Sequence, residues 1–185
     1  MGEAMNERDP KLVWLDLEMT GLDVDRCAII EIGLVITGKD LEPLAELERV
    51  IWQPEEVLLR MTPFVREMHT KNGLLERVRA SRTGLADAEV DAVALVAKHC
   101  EFRQAILAGN SVHTDRSFLA AYMPTLERFF HYRQVDVSTL KVLTRAWFPA
   151  VAHFEKEDQA HTALADIHES LAELRHYRAT FFREG

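Results

Sequence analysis

The spacing of hydrophobic and polar positions along the chain predicts an opening of three strands. Apolar segments lie at residues 11–18, 28–37 and 46–53, and the turn residues at 38–40 separate the last two. Short connections with turn chemistry usually join antiparallel neighbours. The pattern therefore predicts an antiparallel meander of three strands.

The rest of the chain changes to alternating helices and strands. Helical spacing covers residues 62–78, 85–100, 115–123, 125–133, 138–147 and 161–178, and short apolar runs at 105–109 and 135–137 predict a fourth and a fifth strand. Pro63 suits a helix start, Gly73 a helix stop, and Ser138 an N-cap. This order of elements predicts an α/β fold, with a mixed five-stranded sheet flanked by helices.

Composition and charge narrow the class of protein. The 185 residues are 48% hydrophobic, which suits one folded domain. The formal net charge of −8 gives the chain no long-range electrostatic attraction to nucleic acid, so we do not expect it to move along a strand by charge. Local acidic clusters can still bind metal ions, which reverse the local sign of charge. Cys27 and Cys100 form no CxxC pair, and the start lacks the apolar core of a signal peptide. We therefore predict a cytoplasmic protein without a membrane span.

Two carboxylates, Asp16 and Glu18, stand inside the first predicted strand, in the segment VWLDLEMTGLD. Residues two apart in a strand project from the same face, so both carboxylates point the same way while Leu15 and Leu17 face away. Adjacent carboxylates repel and are costly to desolvate unless a divalent cation lies between them. Oxygen-only ligands favour Mg²⁺ or Mn²⁺ over zinc, so the pair is a candidate metal site.

Other acidic residues leave more than one interpretation open. Asp87 and Glu89 repeat the same spacing, but in a polar helix start where negative charge is favourable without a metal. Asp115 follows the predicted strand at 105–109, at a strand-to-helix junction suited to active-site groups. The same position also suits a helix N-cap.

The last candidate is His161 with Asp166, near the start of the final predicted helix. Two other pairs have the same spacing, His131 with Asp136 and His153 with Asp158. Spacing alone therefore carries little information. Asp166 lies beside the apolar stripe of its helix and should face inward, whereas His161 is also compatible with an ordinary surface histidine.

Taken together, these segments resemble the DEDD exonucleases, in the subclass whose third motif contains a histidine. WLDLEMTGL is similar to the first motif, GNSVHTDRSFL to the second and HTALADIHES to the third. Three further segments, MHTKNGL, YMPTLERFFHYRQVDVSTLK and ALADIHESLAELRHYR, are similar to the oligoribonuclease family in particular. The similarity extends from about residue 11 to residue 178 and keeps the order of the motifs.

The resemblance implies an RNase H-like fold in a single exonuclease domain over residues 1–185, with a core at about 11–178 and a short flexible segment at 1–10. It implies 3′-to-5′ hydrolysis of dinucleotides and other short oligoribonucleotides to 5′-mononucleotides, with two Mg²⁺ or Mn²⁺ ions per site. The implied metal ligands are Asp16, Glu18, Asp115 and Asp166, and the implied general base is His161.

The same resemblance implies a substrate site and a dimer. Leu22 and Phe64 would pack on the bases, and His69 would lie on the substrate side. The residues implied around the 5′ end of the substrate are Ser111, Tyr132, Arg133 and Ser138. The family pattern also implies a homodimer, in which Tyr132 enters the neighbouring subunit's site. Without the resemblance, the segment FFHYR suits core aromatics beside a solvated arginine.

Three positions depart from the family pattern. Phe64 stands where a tryptophan is usual, His113 where a glycine is usual, and Asn72 where a serine is usual. Two alternatives to a dinucleotide-degrading enzyme stay open at this point. One is a related exonuclease acting on longer RNA or single-stranded DNA, and the other is a catalytically inert nucleic-acid-binding protein with the same fold.

Overall fold

The architecture is a mixed five-stranded sheet with helices on both faces, in a computed structural model that describes residues 10–150, 154 and 162–182. The strands are β1 (Leu12–Met19), β2 (Ile29–Thr37), β3 (Pro43–Val50), β4 (Ala105–Gly109) and β5 (Phe130–Asp136). Their order across the sheet is β3-β2-β1-β4-β5. This sheet confirms the expected RNase H-like arrangement.

Eight helices connect and cover these strands within the described part of the chain. They are α1 (Glu55–Leu58), α2 (Pro63–Lys71), α3 (Leu74–Ala80), α4 (Leu85–His99), α5 (His113–Tyr122), α6 (Pro124–Phe129), α7 (Val137–Trp147) and α8 (Ala163–Phe181). None of these described helices has the length and apolar character needed to span a bilayer.

The pairing of the strands brings three chain segments to one edge of the sheet. β1 runs antiparallel to β2, with Glu18 opposite Glu31, and β2 runs antiparallel to β3. These pairs confirm the predicted meander. β4 is parallel to β1, with Val13 beside Leu107, and β5 is parallel to β4. The carboxyl ends of β1, β4 and β5 therefore lie along the same edge.

Alternation along β1 assigns each side chain to one of two cores. Leu15 and Leu17 belong to a cluster that also contains Ala92 of α4 and Phe118 of α5. Trp14, on the opposite face, packs in a cluster with Ile167 and other apolar residues of α8. Because the period of a strand is two, Asp16 and Glu18 follow Trp14 onto the α8 face.

The fifth strand corrects one sequence prediction. The segment at 125–133 was expected to be helical, but the helix ends at Phe129 and β5 begins at Phe130, five residues before the predicted strand at 135–137. Parallel pairing with β4, from Ala105 beside Phe130 to Gly109 beside Asp136, satisfies the backbone of this segment. The helical expectation was wrong because strand pairing with a distant neighbour overrides local propensity.

Smaller differences concern element ends. β3 ends at Val50, three residues before the predicted limit, and α7 begins one residue early. The N-cap of α7 is Asp136, whose side chain accepts a hydrogen bond from the Ser138 backbone N–H, so the predicted Ser138 cap was wrong. Gly73 separates α2 from α3 with a φ of 75°, which confirms the predicted helix stop. Residues 1–9 of the predicted N-terminal segment lie outside the described residues.

Candidate active site

Three carboxylates from two elements meet at the end of β1. Asp16 and Glu18 project from the strand, and Asp166 lies in the first turn of α8. Each of the three offers one oxygen, and these oxygens all lie within 4.8 Å of one another. Such a cluster of hard oxygen donors suits a cation of the Mg²⁺ or Mn²⁺ type.

Asp115 of α5 is not one of the three clustered carboxylates, but it contacts the strand that carries two of them. It is buried in the first turn of the helix, and its Oδ1 accepts a hydrogen bond from the backbone N–H of Leu17 at 3.0 Å. The residue that caps α5 is Val112, so the alternative in which Asp115 is an N-cap was wrong. The hydrogen bond ties the start of α5 to the strand segment that carries the first two carboxylates.

Burial and mutual repulsion make these carboxyls hard to ionise in the absence of a cation. Burial raises the pKa of Asp16 well above its ordinary value, and the charges of Asp115, Glu18 and Asp166 raise it further. Burial and the charge of Asp166 raise the pKa of Glu18 to about 8. Burial likewise raises the pKa of Asp115 to about 7, against the hydrogen bond from Leu17. A divalent cation among these oxygens would favour the ionised carboxylates over the protonated acids, so the donor set fits such an ion.

The predicted general base, His161, lies outside the described residues, as do His153 and Asp158 of the similarly spaced pair. The next residue, Thr162, is the N-cap of α8, and its side chain accepts a hydrogen bond from the Ala165 backbone N–H. The cap begins the helix that carries Asp166 four residues later.

Two predicted substrate residues, Ser111 and Ser138, are brought together where β4 and β5 end. The Ser111 N–H donates to Asp136 Oδ1 and to Ser138 Oγ, both at 3.0 Å, and the two hydroxyl oxygens lie 3.2 Å apart. Asp136 also accepts from the Ser138 N–H at 2.9 Å. These bonds hold Ser111 at a φ of 52°, a backbone conformation that is uncommon for serine.

Three apolar or aromatic side chains predicted to meet substrate are freely exposed. Leu22 is 77% exposed, Phe64 76% and Tyr132 74%. The guanidinium of Arg133 lies over the Tyr132 ring, 5.4 Å from its centroid. On the loop of Leu22, the Val24 carbonyl accepts a hydrogen bond from the Tyr122 hydroxyl of α5. The side chains of Leu22, Phe64 and Tyr132 lie outside the described core and are accessible to a ligand.

His69 is placed differently from the exposed group. It is fully buried in α2, with Nε2 3.0 Å from the Met19 carbonyl oxygen and Nδ1 3.9 Å from a Glu18 carboxylate oxygen. Burial lowers its pKa, so the ring is neutral near pH 7 and the contact with Glu18 is no ion pair. His69 thus packs against the end of β1.

Two departures from the family pattern have local structural roles. The Asn72 side chain accepts a hydrogen bond from the Leu74 backbone N–H, across the break between α2 and α3. His113 is exposed, and its Nδ1 lies 3.9 Å from Asp136 Oδ2.

The acidic pair at 87 and 89 has the structural role expected from its position in a helix start. Asp87 accepts a hydrogen bond from the Gly84 backbone N–H at the start of α4. Glu89 accepts from the N–H groups of Thr125 and Leu126 in the first turn of α6. Neither residue belongs to the three-carboxylate cluster.

One residue of the site was missed at the sequence level. Glu31 is fully buried, lies opposite Glu18 in the sheet and pairs with Arg77 of α3. A signal was present, because Glu31 is the one charged residue in the nine-residue strand IIEIGLVIT. A charge in a fully buried strand requires a partner, and the partner is 46 positions away.

Comparison with known proteins adds a family to this geometry. The family model RNase_T, described as an exonuclease family, matches residues 13–174. An oligoribonuclease of Corynebacterium diphtheriae is 48% identical over 182 residues, which are 96% of this chain and 86% of the relative. An oligoribonuclease of Azoarcus sp. (strain BH72) is 49% identical over 178 residues, 95% of this chain and 98% of the relative.

Solved structures of exonuclease I share the fold at low sequence identity. The enzyme of Methylocaldum szegediense superimposes with a TM-score of 0.70 at 18% identity, over 93% of this chain and 41% of that one. A zinc-bound E. coli exonuclease I complex with single-stranded DNA gives a TM-score of 0.73 at 14% identity, over 94% of this chain and 41% of that one. This chain spans about two fifths of those proteins, and the likeness establishes the fold alone.

Proposed function

The chain belongs to the oligoribonuclease family of exonucleases, and we propose that it is a metal-dependent 3′-to-5′ exoribonuclease acting on dinucleotides and other short oligoribonucleotides. The observation that carries the proposal is the convergence of Asp16, Glu18 and Asp166 in a chain that matches these relatives over nearly its whole length. The catalytic domain corresponds to the core at about 11–178, within the single domain of residues 1–185.

The proposed metal ligands are Asp16, Glu18, Asp115 and Asp166, and the proposed ions are Mg²⁺ or Mn²⁺, two per site. The all-oxygen donor set supports this choice over zinc. Two such cations, when bound, stabilise the attacking and the leaving oxygens of a phosphodiester displacement. The chain's own contribution is to keep four mutually repelling carboxylates at one end of the sheet.

His161 is the proposed general base. It directly precedes Thr162, the N-cap of α8, so a rigid helix follows it in the sequence. A neutral imidazole near pH 7 can accept the proton of the attacking water, and no covalent intermediate on the protein is required. The products are a 5′-mononucleotide and a shortened chain.

Substrate length is set by contacts at both ends of a dinucleotide. The exposed Leu22 and Phe64 pack on the two bases, and stacking of a base on an aromatic ring such as that of Phe64 contributes ~1–3 kcal/mol. Ser111, Ser138 and Arg133 close the site at the 5′ end, with the guanidinium suited to a terminal phosphate. The paired serines support this role, since their position at the strand ends is held by Asp136. His69, buried in α2 against the end of β1, is the remaining residue that we propose on the substrate side of the site.

A homodimer completes the site. Tyr132 lies on β5, which is an outer strand of the sheet, and is 74% exposed. On α7, which follows β5 in the chain, the side chains of Val142 and Trp147 are both 66% exposed. A second copy covering this surface would receive Tyr132 into its own site. The exposed apolar side chains next to an outer strand support such an interface.

A turnover assay on 5′-labelled RNAs of graded length, from two nucleotides to about twenty, tests the proposal. We expect a kcat/KM for the dinucleotide that exceeds that for the longest RNA, and no turnover after chelation of divalent cations. Equal rates on a dinucleotide and a long strand, or a preference for single-stranded DNA, would replace the dinucleotide specialisation with the broader exonuclease alternative. Binding without hydrolysis under all metal conditions would indicate an inert nucleic-acid-binding protein.

A further inference from the structure

The buried carboxylate of Glu31 contacts the start of the helix that carries Asp166. Glu31 Oε2 accepts a hydrogen bond from the Ala163 backbone N–H at 3.1 Å, across 132 positions of chain. Its other oxygen, Oε1, accepts from the Arg77 guanidinium at 2.5 Å. Each oxygen of this fully buried side chain therefore has its own partner.

The Ala163 amide is one of the N–H groups that a helix leaves without an internal partner at its start. Thr162 caps the Ala165 N–H in the usual local way. The bond from Ala163 goes to a carboxylate of β2, so a second cap comes from a different element. A negative charge at this helix end is also favoured by the helix dipole.

Packing at the same point leaves little room for the helix to shift. A Cβ added at Gly33, two residues along β2, would lie 2.9 Å from the Ala163 Cβ and 3.0 Å from Ile167 Cδ1. The backbone of β2 and the first turn of α8 are thus in close contact. Asp166 lies three residues, or about one helical turn, beyond Ala163.

Arg77 makes the buried charge tolerable. Its second nitrogen contacts Glu48 of β3 at 3.4 Å, and its side chain is 38% exposed while that of Glu31 is fully buried. A carboxylate without such a pair would be costly so close to Asp16 and Glu18. The ion pair therefore keeps Glu31 available as an acceptor for the helix.

We propose that Glu31, held by Arg77, is a positioning residue for the metal site. Glu31 fixes the first turn of α8 and thereby keeps the Asp166 carboxylate opposite Asp16 and Glu18. The inference rests on the proposed function. Glu31 touches neither substrate nor the reacting atoms, and it acts through the Ala163 amide.

Three variants separate positioning from general stability. Glu31→Leu removes both the charge and the acceptor at similar volume. Glu31→Gln with Arg77→Met removes the ion pair but keeps an amide oxygen for Ala163, so it is the conservative variant. Glu48→Gln alters the solvent-side partner of Arg77 and leaves α8 untouched, so it is the matched control.

The experiment measures three quantities on folded protein: Mn²⁺ affinity by calorimetry, hydrogen exchange of the segment 162–167, and kcat and KM on a dinucleotide with Mg²⁺. For Glu31→Leu we expect roughly 10–100-fold weaker Mn²⁺ binding and a similar loss in kcat, because supporting contacts to ligands have effects of that size. We expect faster exchange at the start of α8 and a KM within about two-fold of the parent protein. The double variant should recover most of the Mn²⁺ affinity, and Glu48→Gln should match the parent.

A Glu31→Leu protein with parental Mn²⁺ affinity, kcat and exchange would overturn the proposal, even if its melting temperature falls. If Glu31→Leu does not fold, the double variant Glu31→Gln with Arg77→Met decides the question. Weakened Mn²⁺ binding in that variant, although its amide oxygen can still accept from Ala163, would overturn the proposal equally. A parent protein that binds Mn²⁺ but hydrolyses no RNA would refute the proposed function. The metal-binding and exchange measurements would still decide the role of Glu31.

Discussion

Asp115 accepts a hydrogen bond from the backbone amide of Leu17, a residue 98 positions earlier in the chain, at 3.0 Å. Leu17 stands between Asp16 and Glu18, and its own side chain packs in the opposite core. The bond therefore connects the second acidic motif to the backbone of the first. It also leaves the second carboxylate oxygen of Asp115 outside this contact.

Replacement of Asp115 by asparagine should abolish catalysis without unfolding the protein. The amide oxygen of Asn can still accept from Leu17, while the negative charge is lost. We expect kcat on a dinucleotide to fall by roughly 10²-fold or more, because one of the four proposed metal ligands is removed. Asp87→Asn is the control, because Asp87 caps α4 and should cost no more than about 1 kcal/mol of stability. Equal losses of activity in the two variants would contradict this assignment.

The stability of the metal-free protein should fall as the pH rises. The folded protein holds the Glu18 proton up to a pKa of about 8, whereas the ordinary value in the unfolded chain is 4.5. The stabilising contribution of this protonated form is full below about 4.5 and is lost as the pH passes through about 8. The raised pKa values of Asp16 and Asp115 act in the same direction.

Thermal unfolding in EDTA across this pH range measures the effect. Saturating Mn²⁺ should remove most of the decline, because a cation that binds only the folded, deprotonated site stabilises it. The affinity for Mn²⁺ should rise over the same range. A melting temperature in EDTA that rises with pH up to 8 would show that these carboxyls are already ionised in the folded protein.

Truncation of the exposed side chains that are proposed to contact the bases should weaken substrate binding at little cost in stability. Phe64→Ala should raise KM for a dinucleotide by roughly 5–150-fold, the equivalent of ~1–3 kcal/mol for a base stacked on an aromatic ring. Leu22→Ala, which removes an apolar contact without a ring, should raise KM by a smaller factor. Both side chains are more than three-quarters exposed, so the melting temperature should hardly change. Val90→Ala, which truncates a 66% exposed residue on α4, is the matched control and should leave KM unaltered.

Mixing two inactive variants should restore activity if Tyr132 acts across the dimer. Tyr132→Ala lacks the residue given to the partner, and Asp115→Asn lacks a metal ligand in its own site. A mixed dimer would then contain one complete site, built from Asp115 of one copy and Tyr132 of the other. Random exchange of subunits should recover roughly a quarter of the parental activity.

Light scattering on each variant and on the mixture establishes the oligomeric state. If Tyr132 acts within its own subunit, neither site of a mixed dimer is complete and no activity should return. A monomeric parent protein with full activity would rule out the dimer as a functional unit.

Removal of the Lys141 amine, which lies on α7 and pairs with a carboxylate of α8, should lower the free energy of unfolding. Its Nζ lies 2.9 Å from Glu173, a fully buried carboxylate that also accepts hydrogen bonds from Asn110 and Tyr177. Lys141→Met would leave that charge without its cation, at an expected cost of about 3–5 kcal/mol in the free energy of unfolding. Denaturant titration measures it. Lys98→Met on α4 is the control, and Glu173→Leu combined with Lys141→Met should recover part of the loss.

Much of this arrangement follows from local sequence pattern. A period of two in LVWLDLEM places Asp16 and Glu18 on one face and Leu15 and Leu17 on the other, and the turn at 38–40 joins antiparallel neighbours. The polar start of α4 likewise explains Asp87 without a metal. These features depend on residues a few positions apart, so the chain itself specifies them.

Other features depend on contacts between distant segments. The segment beginning at Phe130 resembles a helix in its spacing, but the free edge of β4 makes it a strand. Asp136 caps α7 and also reaches Ser111, and this second bond brings Ser111 beside Ser138. Glu31 shows one unexplained charge in an apolar strand, and its partners on α3 and α8 are visible only in three dimensions.

The sequence by itself, through the family resemblance, predicted the proposed site residues and their order along the chain, and its period of two placed Asp16 and Glu18 on one face of β1. The tertiary structure decided how the carboxylates of β1 and α8 converge and where Asp115 docks on the strand. The physical reason is that periodicity fixes the direction of a side chain within its own element. The partner that neutralises or hydrogen-bonds a buried polar group is chosen by packing between elements, and no local pattern encodes that choice.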